Sequence, residues 1–470
     1  MILRDAVHGL IGFESEENAI VPRLLATREV QRLRRSRQLG FASCAYPGAE
    51  HTRFSHALGA AHVMGLFVAR LRQIDHDLPF WQRVTSERAR DAIAAAFLHD
   101  VGHGPLSHLF EEALPEAPSH EEWTEQILLD PKTEAHRVLA ADDPYLPQRV
   151  VDLVRGKHAL PYLARAVSGT FDVDRCDYLL RDAHATGVRY GEYDLPWLLR
   201  SLRFDTPGSA SGNLSAGGAS GNLSGGSGAS TAEGPGLAID GAKGLVAIEA
   251  FLLARLFMFQ QVYFHKSTRS AEWLIGAILR RAIALLRDGT RLPSVPEAFL
   301  AVAAGDRPTT GQYLELDDQV LLGALHSWEG AADPVLSDLC KRLRSRSLFK
   351  TVELYPERPE RPERPERGPG DGSAEARSLS PLTPEEALAT AKEITKAAGL
   401  DPEVYVGLDV ASITPYAEDE SLRVVFPRGR PRLPSEVSFL LDRLRNETVT
   451  RVRVIFAPEL REAMREALIR

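Results

Sequence analysis

Along much of this chain, apolar positions recur at three- and four-residue spacing. Residues 56–74 and 86–99 each carry such a stripe and are expected to be helices. Residues 119–129 open on Ser119-His120-Glu121-Glu122, which predicts a helix start with Ser119 as N-cap and Glu122 closing a capping box. The helical spacing continues over 242–287, as one or two long helices, and over 316–329. Beyond residue 380 the texture changes. Residues 384–398 read as helix and 420–426 and 449–457 as strands, with helical stretches at 434–445 and 458–468. The expected fold is mainly α: a helical core with a small C-terminal α+β module.

Two low-complexity segments interrupt the pattern. Residues 206–236 are rich in Gly and Ser and use the phrase SGNLS twice, so they read as a flexible insert. Residues 356–379 begin with four Pro-Glu-Arg repeats, and proline at every third position favours an extended, solvated linker. These segments divide the chain into a first part of the core (1–205), its helical continuation (237–355) and the C-terminal module (380–470).

Composition narrows the classes. The 470 residues carry a formal charge of −8, which argues against a global electrostatic grip on nucleic acid. No apolar run reads as approaching the ~18 residues of a membrane span, and the N-terminus has no signal-like apolar stretch. Cys44, Cys176 and Cys340 show no metal or redox spacing. The expectation is a cytoplasmic enzyme.

The histidines carry the chemistry. His76-Asp77 lies in a polar stretch and reads as a surface turn, whereas His99-Asp100 ends an apolar helix, where a charge needs a partner. His103, His108, Glu111, His120 and Glu121 follow within a short span; His56 lies upstream, and Asp174 and Asp177 downstream. Two imidazoles and two carboxylates form an N/O donor set suited to a divalent ion, a reading that competes with core and capping roles for the same side chains.

The segments PGAEHTRFSHALG, FLHDVGHGPLSH and FDVDRCDYLLRDA resemble the HD-domain superfamily, with its H…HD…D signature. They are similar in particular to its deoxynucleoside triphosphate triphosphohydrolase branch. The match runs from Asp5-Ala6-Val7-His8-Gly9 to Lys266, and more loosely to Ser347-Leu348-Phe349-Lys350. The resemblance implies hydrolysis of a dNTP to a deoxynucleoside and triphosphate. It implies His56, His99, Asp100 and Asp174 as ligands of one divalent ion (Fe, Mn, Zn or Mg), with further Mg able to accompany the triphosphate. It places His103, His108, His120, Glu121 and Glu111 in catalysis. Arg53, Arg175, Arg255 and Lys266 fall at phosphate-binding positions, and Gln38, Leu39, Tyr178, Asp182 and Tyr263 around the deoxyribose. It also implies a homo-oligomer, dimeric or tetrameric, with no membrane partner.

This chain departs from the pattern at two places. Phe259 stands where relatives carry His, and Ala26 where nucleotide-activated members carry an Asp that reads guanine. Two alternatives stay open: another HD phosphohydrolase reaction (nucleotidase or phosphodiesterase), and a nucleotide-sensing or nucleic-acid-binding protein. The basic run RLRRSRQ at 32–38 is the best support for the latter.

Overall fold

A computed structural model describes residues 1–106, 118–205, 236–354, 382–418 and 422–468. Residues 206–235 of the insert and the whole 356–379 linker lie outside the described residues. The core is helical. Helix α1 (Arg53–Ile74) runs through its middle, packed against α2 (Ser86–Leu98) and α4 (Val173–Thr186), and α3 (His120–Leu129) meets the end of α2, where the Thr124 hydroxyl donates to the His99 carbonyl. The capping box at Ser119 and Glu122 forms as expected, Asp172 caps α4 by accepting from the Arg175 amide, and Gly187 ends α4 in the left-handed region.

By length and composition alone α1 and the stretch Leu245–Tyr263 could cross a membrane, which corrects the expectation that no run comes close. Helix α1 is apolar nearly all round because it is packed nearly all round: 67% of its most apolar window is buried inside the protein. It meets α4 tightly at Gly59. A Cβ there would lie 1.9 Å from Asp177 Oδ1, so only glycine lets the two helices meet.

The stretch 242–287 forms two helices, α5 (Leu245–Met258) and α6 (Lys266–Arg287). A π-helical turn, Phe259–Tyr263, separates them and stacks Tyr263 edge-on to Phe259 at 4.7 Å. Helix α6 anchors a second apolar core with α7 (Asp318–Trp328), α8 (Pro384–Ala397) and α9 (Arg461–Leu468).

Among the described residues eight strands form three small sheets. The hairpin of β1 (Ile2–Asp5) and β2 (Gly9–Gly12) is antiparallel. In the second sheet β3 (Leu202–Asp205) pairs antiparallel with β4 (Gly236–Asp240). In the third, β5 (Lys350–Leu354) and β6 (Val406–Ile413) both pair antiparallel with β8 (Val449–Phe456). Strand β7 (Leu422–Val425) adds parallel to β4, Leu237 opposite Leu422. The C-terminal region is α+β, and its strands complete sheets begun by residues before the linkers.

Candidate metal centre and adjoining cleft

Three core helices converge on one point. Helix α1 supplies His56, the end of α2 supplies His99, and the first turn of α4 supplies Asp174. His56 Nε2 lies 3.0 Å and His99 Nε2 3.4 Å from Asp174 Oδ1, and the two Nε2 atoms are 3.3 Å apart. Asp100 faces the same space, its Oδ1 3.3 Å from His99 Nε2. That carboxylate also pairs with Arg53 through Oδ2 and with His103 Nε2 at 3.2 Å through Oδ1.

The residues around the imidazoles set their tautomers. His56 Nδ1 donates to Asp177 Oδ2 at 2.8 Å, and His99 Nδ1 donates to the Ala96 carbonyl at 2.9 Å. Both Nε2 lone pairs therefore turn towards Asp174 and towards each other, which is repulsive unless a cation lies between them. Burial lowers the affinity of both rings for a proton. For His56, Asp174 and Asp177 outweigh it and push the pKa up to about 10; for His99, Asp100 and Asp174 push it up to about 9. A pocket that favours positive charge so strongly fits a divalent ion, and His56, His99 and Asp174 form a group able to hold one.

Residues behind the ligands fix them. Asp177 accepts from His56, from His8 Nε2 at 2.6 Å and from Arg181, which in turn pairs with Asp5 of the hairpin. Arg32, only 1% exposed, donates to the carbonyls of Val101 and His103 and so braces the turn after Asp100. Gly102 lets that turn lie against α3, since a Cβ would sit 2.2 Å from the His120 carbonyl oxygen. Arg34 stacks on Phe54, and Arg35 and Arg37 pair with Asp317 and Glu50. The arginines of the 32–38 run are thus engaged within the fold.

Two cavities meet here. A polar one of about 600 Å³ is lined by the metal-facing carboxylates together with His103, His120, Glu121, Arg175 and Arg255. His103 and His120 stack at 4.0 Å, and burial, with the charge of Arg53, holds His103 well below the ordinary imidazole pKa. Arg175 pairs with Asp172, whose own pKa burial pushes up to about 6 against the pull of Arg175. A more apolar cavity of about 540 Å³ holds Leu39, Asp182, Phe259 and Tyr263. Gln38, Arg53 and Tyr178 line both.

Asp182 is held on both oxygens, by His51 Nε2 at 2.8 Å and by the Tyr263 hydroxyl at 2.7 Å. His51 was not singled out from sequence; its one signal is its place in HTRFSH, two residues before Arg53. His76 and Asp77 are exposed, and their side chains pair with each other at 3.4 Å.

One expected substrate ligand lies elsewhere. Lys266 lines neither cavity; it sits with Arg346, Lys350, Arg461 and Arg465 around a separate basic pocket of about 320 Å³. The π turn and the bend at Phe264 and His265 leave Tyr263 in the cleft and carry Lys266 out of it. His108 and Glu111 lie outside the described residues.

Helices converging on a His/Asp group able to hold a divalent ion, beside a two-part cleft, define the class of site, and comparison with known proteins gives the family. The HD domain profile matches residues 53–182 and the HD associated region profile residues 231–469. An uncharacterized protein of Bacillus subtilis, YwfO, is 32% identical over 415 residues, 88% of this chain and 80% of that protein. The chain belongs to the HD-domain family, in the form that carries the HD associated region. It is also 28% identical over 241 residues to the deoxynucleoside triphosphate triphosphohydrolase SAMHD1 of Gallus gallus, a match spanning 44% of this chain and 37% of that protein. The fold is shared with a phosphohydrolase from Bacteroides thetaiotaomicron, at TM-score 0.73 and 24% identity over 97% of this chain and 99% of that one. A hypothetical protein of Aquifex aeolicus gives TM-score 0.69, also at 24% identity, over 100% and 99%.

Proposed function

We propose that this chain is a metal-dependent triphosphohydrolase that cleaves deoxynucleoside triphosphates to deoxynucleoside and intact triphosphate. The observation that carries the reading is the two-part cleft. Its polar half joins the candidate metal centre to Arg53, Arg175 and Arg255, and its more apolar half shares Gln38, Arg53 and Tyr178 with it, an arrangement that supports a polyphosphate on one side and a sugar and base on the other. A triphosphate brings about four negative charges, which suit the arginine half.

A divalent ion held by His56, His99 and Asp174, with Asp100 beside it, supplies Lewis-acid polarisation of a phosphoryl oxygen when bound. The protein's own groups do the rest. Arg53 and Arg175, each paired with a buried carboxylate, present a fixed face to the phosphates. His103 is kept neutral, and His120 stacked on it, with Glu121 alongside, can pass a proton to the departing oxygen. Gln38 Oε1 is buried with no hydrogen-bond partner among the described residues and can accept from a sugar hydroxyl. Tyr263, locked to Asp182, together with Leu39 walls the sugar. A 2′-hydroxyl buried against that wall would cost about 1–3 kcal/mol, so deoxyribose is preferred.

The reading extends to a cytoplasmic homo-oligomer with no strict need for a guanine nucleotide activator, given Ala26. Incubation of Mn²⁺-loaded protein with each dNTP and NTP, with chromatography of the products, tests it. Intact triphosphate from dNTPs supports the reading. Stepwise release of phosphate, or equal use of ribonucleotides, points to another phosphohydrolase reaction.

A further inference from the structure

The three arginines of the polar cavity differ in what holds them. Arg53 and Arg175 pair with Asp100 and Asp172. Among the described residues no carboxylate lies within ion-pair distance of Arg255. Its NH1 instead donates to the backbone carbonyl of Pro415 at 2.9 Å, its Nε is buried without a hydrogen-bond partner, and its guanidinium lies 5.9 Å over the Phe259 ring. A carbonyl can orient a guanidinium without neutralising it, whereas a carboxylate does both.

Pro415 comes from the far end of the sequence. Near the end of strand β6, Ser412 lies in the wall of the apolar cavity, and Thr414 and Ala417 beyond the strand line the polar one. This stretch is pinned on its other side. Tyr416 is buried in the first core, its hydroxyl donates to Glu418 at 2.8 Å, and its carbonyl accepts from the Asn446 amide at 2.9 Å. Glu418 also accepts from the amide and hydroxyl of Ser435, and Thr414 and Thr448 hydroxyls meet at 2.9 Å.

We infer that residues Thr414–Ala417 are a positioning element of the cleft: the Pro415 carbonyl aims Arg255 at the polar cavity while leaving its charge for a polyphosphate anion. The inference deepens the proposed function and rests on its assignment of phosphates to the polar half. It makes the C-terminal region part of the substrate site.

The test is a double-mutant cycle read as binding of inorganic tripolyphosphate to the full chain loaded with Mn²⁺, by calorimetry and without turnover. Pro415→Gly keeps the carbonyl but frees the backbone that aims it. It is expected to weaken tripolyphosphate about fivefold or more in the wild-type background and less than about twofold in the Arg255→Ala background. Manganese content is expected to be the same in all four proteins. Equal weakening in both backgrounds, no weakening in the wild type, or no tripolyphosphate binding at all overturns the inference. Should Pro415→Gly fail to fold, Glu418→Gln, which loosens the anchor of Tyr416, enters the same cycle with the same expectations. A failure of the dNTP reading alone shows separately, as absent dNTP turnover with the tripolyphosphate cycle intact.

Discussion

Replacing Gly59 with alanine adds one methyl group at the contact that brings α1 and α4 together. The new carbon would stand 1.9 Å from Asp177 Oδ1 and 2.4 Å from an Arg181 guanidinium nitrogen. Ordinary contact begins near 3.5 Å, so Asp177 must retreat by roughly 1.5 Å. It cannot do so freely, because the same carboxylate holds His56 Nδ1, His8 and Arg181. Overpacking of this kind costs about 1–3 kcal/mol, offset by the ~1 kcal/mol that alanine gains over glycine in a helix. The larger effect is on metal, since disturbing a group that orients a ligating histidine costs about 10–100-fold in affinity or activity. Gly65 of the same helix is the control. A Cβ there meets nothing within 4 Å, so Gly65→Ala is expected to stabilise the fold by about 0.5–1 kcal/mol and leave metal binding alone. Manganese titration of both variants, with urea unfolding, is the assay. Wild-type manganese affinity in Gly59→Ala would refute the claim that this contact sets His56.

The other expected outcomes are these. His99→Ala and Asp100→Ala each abolish hydrolysis and lower bound divalent metal, while His76→Ala does neither; metal analysis of folded protein decides, and full stoichiometry in the His99→Ala/Asp100→Ala double variant removes the assignment. Asp5 titrates below the ordinary 3.8: burial opposes its ionisation, but Arg181 and the amides of Val7 and His8 outweigh it. Its stabilisation is therefore present above that value and lost as pH falls through the folded pKa, so the stability gap between wild type and Asp5→Asn in urea narrows below about pH 4. A gap that ignores pH counts against the Asp5–Arg181 pair. Asp318 accepts from the Leu106 amide at 2.8 Å and the Arg37 amide at 2.9 Å, and asparagine can accept from only one of them. Asp318→Asn is expected to lose about 1–3 kcal/mol in urea unfolding and to raise KM for the nucleotide, since Leu106 and Gln38 line the apolar cavity; unchanged values would show that the clamp is dispensable.

The parts of the site that were legible in the sequence are those carried by local pattern. A helix announces itself through its apolar spacing, so α1, α2 and the start of α3 could be placed; that His56, His99 and Asp100 belong to one site is what the H…HD…D resemblance implied. Ser119 and Glu122 form the predicted capping box because that motif is complete within four residues. Pairings over long distances leave no such trace. Strand β7 joins β4 in parallel across more than 180 intervening residues, and no periodicity records the partner. Strand β6 was not expected at all, although it packs Gly407 under Trp273, where a Cβ would come within 1.9 Å of the indole. The position of Lys266 beside a different pocket has a related reason. It lies only three residues after Tyr263, but the π turn changes the phase of the helix, so neighbours in sequence face different cavities.

Charge gives the plainest case of what sequence counting misses. The chain is acidic overall, at −8, yet the cleft turns on which acid or carbonyl each arginine meets. Arg181 is enclosed by Asp5 and Asp177 and serves the scaffold behind His56. Arg32 is buried among carbonyls and braces a turn. Arg53 and Arg175 face the cleft with carboxylates at their backs, which fixes them and tempers their charge. Among the described residues Arg255 alone of these cleft arginines has no carboxylate within ion-pair distance; a neutral oxygen 160 residues away in the chain holds it and leaves its charge for an entering anion. Five arginines that look interchangeable in the sequence thus divide into scaffold and cleft by their partners. Four of the five find those partners within the first 205 residues, and Arg255 finds its own in the C-terminal region.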